Sequence, residues 1–151
     1  MTYQEKNIVI SLCSQILILA FFLIRIFQIF QDGALEPGEV FWLWGTVIIL
    51  QIVVTIVGVI AMHVLSAVIE SVKNNGTEPQ IDDVQDERDK LISLKGTRVA
   101  YYASSIGIVL SMLSLVFGQP ALVMFSLLIF SGIAAQIIED VSKLTLYRRG
   151  F

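Results

Sequence analysis

One cysteine, one histidine and three prolines are all that this 151-residue chain offers of the side chains that bind soft metals, form disulfides or break helices. A zinc-type centre takes three or four protein ligands, so Cys13 and His63 are too few to build one. A lone cysteine also leaves no internal disulfide to form. Charge is scarce as well: 15% of the residues are Asp, Glu, Lys or Arg, against about 25% in an ordinary soluble domain. The sequence has no nucleophile elbow, no phosphate-cradling Walker loop and no HExxH helix. Its one acidic cluster, Asp82, Asp83, Asp86, Glu87 and Asp89, lacks the alternating oxygens, central glycine and distant glutamate of a calcium loop. The middle of every apolar run is free of carboxylates, which removes the usual acid–base groups from the membrane interior. These absences predict a protein that is not an enzyme, holds no metal or cofactor, and does not bind nucleic acid.

What is abundant is apolar surface. Hydrophobic residues make up 56% of the chain, above the roughly 45–50% of soluble domains, and the mean hydropathy is +0.79. They gather into four runs, at residues 8–30, 40–69, 99–117 and 121–138. A helix rises about 1.5 Å per residue and must cross about 30 Å of hydrocarbon, so each run is long enough to span. The first run is about twice the length of a signal-peptide core and has no small-residue cleavage exit, so a retained helix is predicted. The fold class expected is all-α: a polytopic four-helix transmembrane bundle forming one domain over residues 1–151.

The net charge of −3 conceals a segregation. Lys6, Lys73, Arg88, Lys90, Lys95, Arg98, Lys143, Arg148 and Arg149 lie at the two ends of the chain and around the central connection, residues 70–98. The connections at residues 31–39 and 118–120 have no Lys or Arg. The positive-inside rule then places both termini and the 70–98 loop in the cytoplasm, in a multi-pass cell-membrane protein. Trp42 and Trp44 suit the outer headgroup boundary, and Tyr101 and Tyr102 the inner one.

Local signals organise the remainder. Gly33 and Pro37-Gly38 mark the first outer turn, and Gly118 and Pro120 close a tight hairpin between the third and fourth spans. Within the loop, residues 73–79 read as a helix stop and turn. From Asp82 the pattern predicts a cytoplasmic amphipathic helix, with Val84, Leu91 and Leu94 as its apolar stripe, leading into the third span with Gly96 as a bend. Ser104, Gly107, Ser111 and Ser114 face Ser131, Gly132 and Ala135 as small residues that would let the last two spans approach closely.

Candidate functional residues within the membrane are few. Arg25 is the one basic residue inside a span; its position near the end of the run favours snorkelling toward the outer acids, with a pore or ligand role as the alternative. His63, with Ser66 and Glu70 on the same face, reads as an interfacial hydrated histidine ahead of a proton relay. Gln15, Gln51, Thr55 and Gln136 are neutral polar groups that bond across helices for about 1 kcal/mol or less each, or else line a polar cavity.

The run Asp86-Glu87-Arg88-Asp89-Lys90-Leu91-Ile92, followed by Lys95, Arg98, Ala100 and Tyr101-Tyr102, resembles a family of small prokaryotic integral-membrane proteins of unknown function with a D-E-R motif ahead of the third membrane helix. The resemblance implies a bacterial or archaeal cytoplasmic-membrane protein that serves as an accessory to a regulator, and it supplies no catalytic residues. Glu87 and Arg88 point about 100° apart on a helix, so Arg88 is expected to clamp the loop onto acids of a neighbouring helix end such as Glu70, Glu139 or Asp140. The function expected is a non-enzymatic membrane adaptor or regulatory subunit that works through Asp86, Glu87 and Arg88. Its expected partners are the bilayer, a second copy of the chain, and a cytoplasmic or membrane protein. The rival expectation is a small oligomeric transporter or channel.

Overall fold

The computed structural model describes residues 3–33, 36–73 and 87–149, and within them four helices follow in order. They are α1 (Tyr3–Gln31), α2 (Pro37–Lys73), α3 (Glu87–Val116) and α4 (Ala121–Arg148). At about 1.5 Å per residue even the shortest is about 42 Å long, so all four are long and apolar enough to cross a membrane. The helices cover the predicted spans, apart from Phe117 just past the end of α3, and each extends beyond its span at one end or both. Hydrophobicity reports where a chain meets lipid, whereas backbone hydrogen bonding continues past the hydrocarbon edge.

The turns form where the residue chemistry demands. Two residues past the end of α1, Gly33 turns the chain with a φ of 65°, in the left-handed region, and its N–H donates to the Phe30 carbonyl at 3.4 Å. Pro37 opens α2, where the missing N–H costs nothing. At the second hairpin Gly118 (φ 77°) donates to the Leu115 carbonyl at 3.0 Å, and Gln119 donates to Ser114 at 3.1 Å. This pair of bonds is a Schellman cap. Pro120 then caps α4 with an extended backbone, so α3 and α4 are held as antiparallel neighbours.

In the bundle, α4 packs against α3 along its length and against α1, and among the described residues α2 packs mainly on α1. One end carries both hairpin turns and the other carries both termini; they are called here the turn end and the terminal end. The core lies toward the turn end. Ile18, Phe22, Ile26 and Ile29 of α1 recur at helical spacing and pack against Leu43 and Val47 of α2 and Ile133 of α4. Phe22 is 2% exposed. Trp44 sets its ring edge-on against Phe125, with centroids 5.3 Å apart, while Trp42 is exposed. The large aliphatic side chains left exposed on all four helices are the surface that lipid would cover.

The α3–α4 seam is made of small residues. A Cβ added at Gly107 would collide with Ser131, and Ser111, Ser114, Ser126 and Ala135 are buried. Gly132 departs from the expectation: it is exposed, and nothing stands within 4 Å of a Cβ built there. Its neighbour Ser131 takes the seam position, since consecutive helical residues point about 100° apart.

No separate amphipathic helix precedes α3 among the described residues. α3 is continuous from Glu87 to Val116, and Gly96 is a packing point inside it, with no bend assigned to it. The Lys143 side chain runs directly over Gly96, within 2.5 Å of where a Cβ would sit. Asp82, Asp83, Val84 and Asp86 lie outside the described residues.

Candidate functional site

Two polar stripes meet at the terminal end of the bundle. On α1, Gln4, Asn7 and Ser11 follow one another at three- and four-residue steps, and Ser14 and Gln15 stand three and four residues beyond Ser11; on α4, Gln136, Asp140, Lys143 and Tyr147 are spaced in the same way. With Thr55 from α2 and Asp89 and Ser93 from α3 they line an open-sided cavity of about 320 Å³. The fully buried apolar residues of the core reach Ile18 on α1 and Ile133 on α4, with Ile137 packed beside them, and toward the terminal end the cavity faces of these helices carry polar side chains.

At about 1.5 Å per residue, Gln15, Gln51 and Gln136 all lie about 21–24 Å from the turn end of their own helices. Three amides from three helices thus share one level. Gln51 Nε2 donates to Gln15 Oε1 at 3.4 Å, a long bond, and Gln136 is half-buried at the cavity wall. Deeper toward the terminal end, Ser11 Oγ donates to Asp140 Oδ2 at 2.7 Å and ties α1 to α4. Asp140 is 4% exposed, an uncommon state for a carboxyl group without an ion pair or several donors.

A second set of bonds fastens the start of α3 to the end of α4. Tyr147 OH donates to Asp89 Oδ1 at 2.6 Å. Thr97 Oγ1 donates to Glu139 Oε1 at 3.0 Å, and Lys143 Nζ reaches the same oxygen at 2.6 Å while its stem covers Gly96. Tyr147 stands beyond the apolar run of α4. Its phenol is pushed above the usual value, first by burial and then by the Asp89 carboxylate, so it remains a donor through the physiological range.

The expected site residues fall in several places. Gln51 and Gln136 belong to the amide level. Arg25 is exposed on the outer wall of α1 in the half toward the turn end, with Nη1 donating to Gln28 Oε1 at 3.0 Å, and it does not line the cavity. The backbone of His63 is within α2 but its side chain lies outside the described residues, and so does Asp86. Glu87 and Arg88 are exposed. At the start of α3 the bond to α4 is made by Asp89, through Tyr147. Lys143 packs over Gly96; Arg88 is exposed, with its charge near enough to act on Tyr147. Cys13 is exposed, and among the described residues no three His, Cys, Asp or Glu side chains converge as a metal site would require.

Ser11 and Tyr147 are the residues that sequence reasoning passed over as site members; Asp140 entered it as an acid for Arg88 to clamp, and Asp89 as part of the acidic cluster, neither as a cavity residue. Asp140 follows the last apolar run closely and reads as solvated until the helix is known to continue to Arg148. The signal that finds it is the polar stripe itself, Gln136-Asp140-Lys143-Tyr147, which continues the register of the span. Comparison with protein-family models, with curated proteins and with solved structures gives no match for this chain.

Proposed function

We propose that the chain is a non-enzymatic adaptor or regulatory subunit of a prokaryotic cytoplasmic membrane. In this reading both termini and residues 70–98 are cytoplasmic, so the terminal end is the inner end. The distribution of Lys and Arg supports that orientation. The observation that carries the reading is the double fastening of α3 to α4, by Asp89–Tyr147 and by Thr97–Glu139 with Lys143. It turns the inner ends of two helices into one surface, on which Glu87, Arg88, Lys90, Arg148 and Arg149 remain exposed. A partner that engages Asp86, Glu87 and Arg88 would then act on α4, and through Asp140–Ser11 on α1.

The test is a gentle-detergent pulldown from native membranes. It compares the intact chain with an Asp86→Ala/Glu87→Ala/Arg88→Ala variant of equal membrane abundance and unfolding temperature. A protein recovered in fixed ratio with the intact chain and lost from the variant is the expected result. The same proteins recovered with both would overturn the reading.

A second reading is favoured by one observation, the polar cavity beneath an apolar core. A small oligomeric transporter needs such a one-sided vestibule, and a homo-oligomer with no further partner in either pulldown would move the assignment there. Transport would depend on Asp140 at the cavity, and Arg25, outside it, would be dispensable.

A further inference from the structure

We infer that the cavity between α1, α2 and the clamped α3–α4 end is a binding site for a small organic ammonium ion, with Asp140 as its counter-charge. The inference stands apart from the adaptor reading, because it concerns the interior of the bundle and needs no protein partner.

The donor–acceptor balance of the cavity carries it. An ionised carboxylate accepts about four hydrogen bonds. Asp140 is 4% exposed, and the bond shown to it is the one from Ser11. A carboxylate so buried and so sparsely donated to is costly unless a cation completes it. Among the described residues the wall holds one basic side chain, Lys143; its ammonium is bound to Glu139 at 2.6 Å and also attracts Asp140. Asp89, the other acid of the wall, accepts from the Tyr147 hydroxyl. Among the described residues, three carboxylates at this end, Asp140, Asp89 and Glu139, thus share one ammonium in the wall, that of Lys143.

The remaining lining selects the type of cation. Gln15, Gln136 and Ser14 place amide and hydroxyl oxygens around the same space, which suits a group with several N–H donors. A divalent or transition metal is a poor fit, since three acidic, His or Cys ligands do not converge among the described residues. Ile8, Ile10, Val54 and Ile92 supply an apolar wall beside the polar one, and this suits a short hydrocarbon body behind the charged head. A volume of about 320 Å³ is at the small end of ligand pockets, which run from about 300 to 1,000 Å³.

The experiment titrates n-butylammonium chloride into the full-length protein in lipid nanodiscs, followed by calorimetry, with sodium butyrate and n-butanol as the anionic and neutral controls. Saturable binding of butylammonium alone is expected, weakened at least tenfold by Asp140→Asn at unchanged unfolding temperature. Asp32→Asn, an exposed acid at the turn end, should bind as the parent does. If Asp140→Asn fails to fold, Gln136→Leu serves, because it removes an oxygen from the wall without touching the Asp140–Ser11 bond; it should weaken binding several-fold. Equal binding of butyrate or butanol, unchanged affinity in Asp140→Asn or Gln136→Leu, or no saturation by butylammonium would each overturn the inference.

Discussion

At the scale of single residues, the account turns on which side chains hold the terminal end together. Tyr147 and Asp89 form a bond of 2.6 Å between a neutral donor and a carboxylate, part-buried at the ends of two helices. Hydrogen bonds to charged groups contribute about 1.5–3 kcal/mol, and partial exposure lowers this toward 1. Tyr147→Phe is therefore expected to destabilise the protein by about 1–2 kcal/mol. Faster amide exchange in the first turns of α3, with the Gly107–Ser131 seam unaffected, would report it. The phenol ionises at higher pH in the folded than in the unfolded chain, so its contribution is complete below the ordinary tyrosine range, near pH 10, and is lost only as pH rises through the raised value. Parent and Tyr147→Phe should accordingly differ by the same margin at pH 7 and pH 9. Arg88→Ala, at an exposed position, should leave stability and loop protease sensitivity unchanged.

At the scale of helices and their seams, glycine positions separate close approach from permissive backbone. Gly107→Val would drive a branched side chain into Ser131 and should cost about 1–3 kcal/mol by overpacking. Gly132→Ala meets open space and gains helix propensity, so it should be neutral or stabilising by up to about 1 kcal/mol. Thermal unfolding in one detergent distinguishes the two. Gly118→Ala, with space around it but φ at 77°, should cost about 1–2 kcal/mol for a conformational reason alone.

The same helices show how far the sequence could be read. The four spans were legible because hydropathy is summed locally and needs no knowledge of neighbours. The Gly118–Pro120 hairpin was legible because its residue types each permit one role. The rotation of a helix about its axis was not. Which residue of the α3 start bonds α4, and whether Ser131 or Gly132 enters the seam, depends on contacts such as Gly96 with Lys143 that join residues far apart in the chain. Asp140 was obscured for a related reason. A carboxylate near a span's end is ordinarily solvated, and only its packing against Ser11 of α1 makes it an interior group.

For the whole molecule, the central claim is an asymmetric bundle: apolar and closed at the turn end, polar and functional at a cytoplasmic terminal end. The core of Phe22, Ile26, Leu43 and Ile133 supports the first half, and the cavity with its clamped rim supports the second. Both the partner surface and the ammonium site face the cytoplasm only if the positive-inside reading holds. The most direct measurement is therefore topological, in a Cys13→Ser background, since Cys13 is exposed. Asp32→Cys and Arg149→Cys variants, one at each end of the bundle, are treated in intact cells with a membrane-impermeant maleimide. The account predicts labelling of the Asp32→Cys protein before lysis and of the Arg149→Cys protein only after it. Labelling of Arg149→Cys in intact cells, with Asp32→Cys protected, would contradict it.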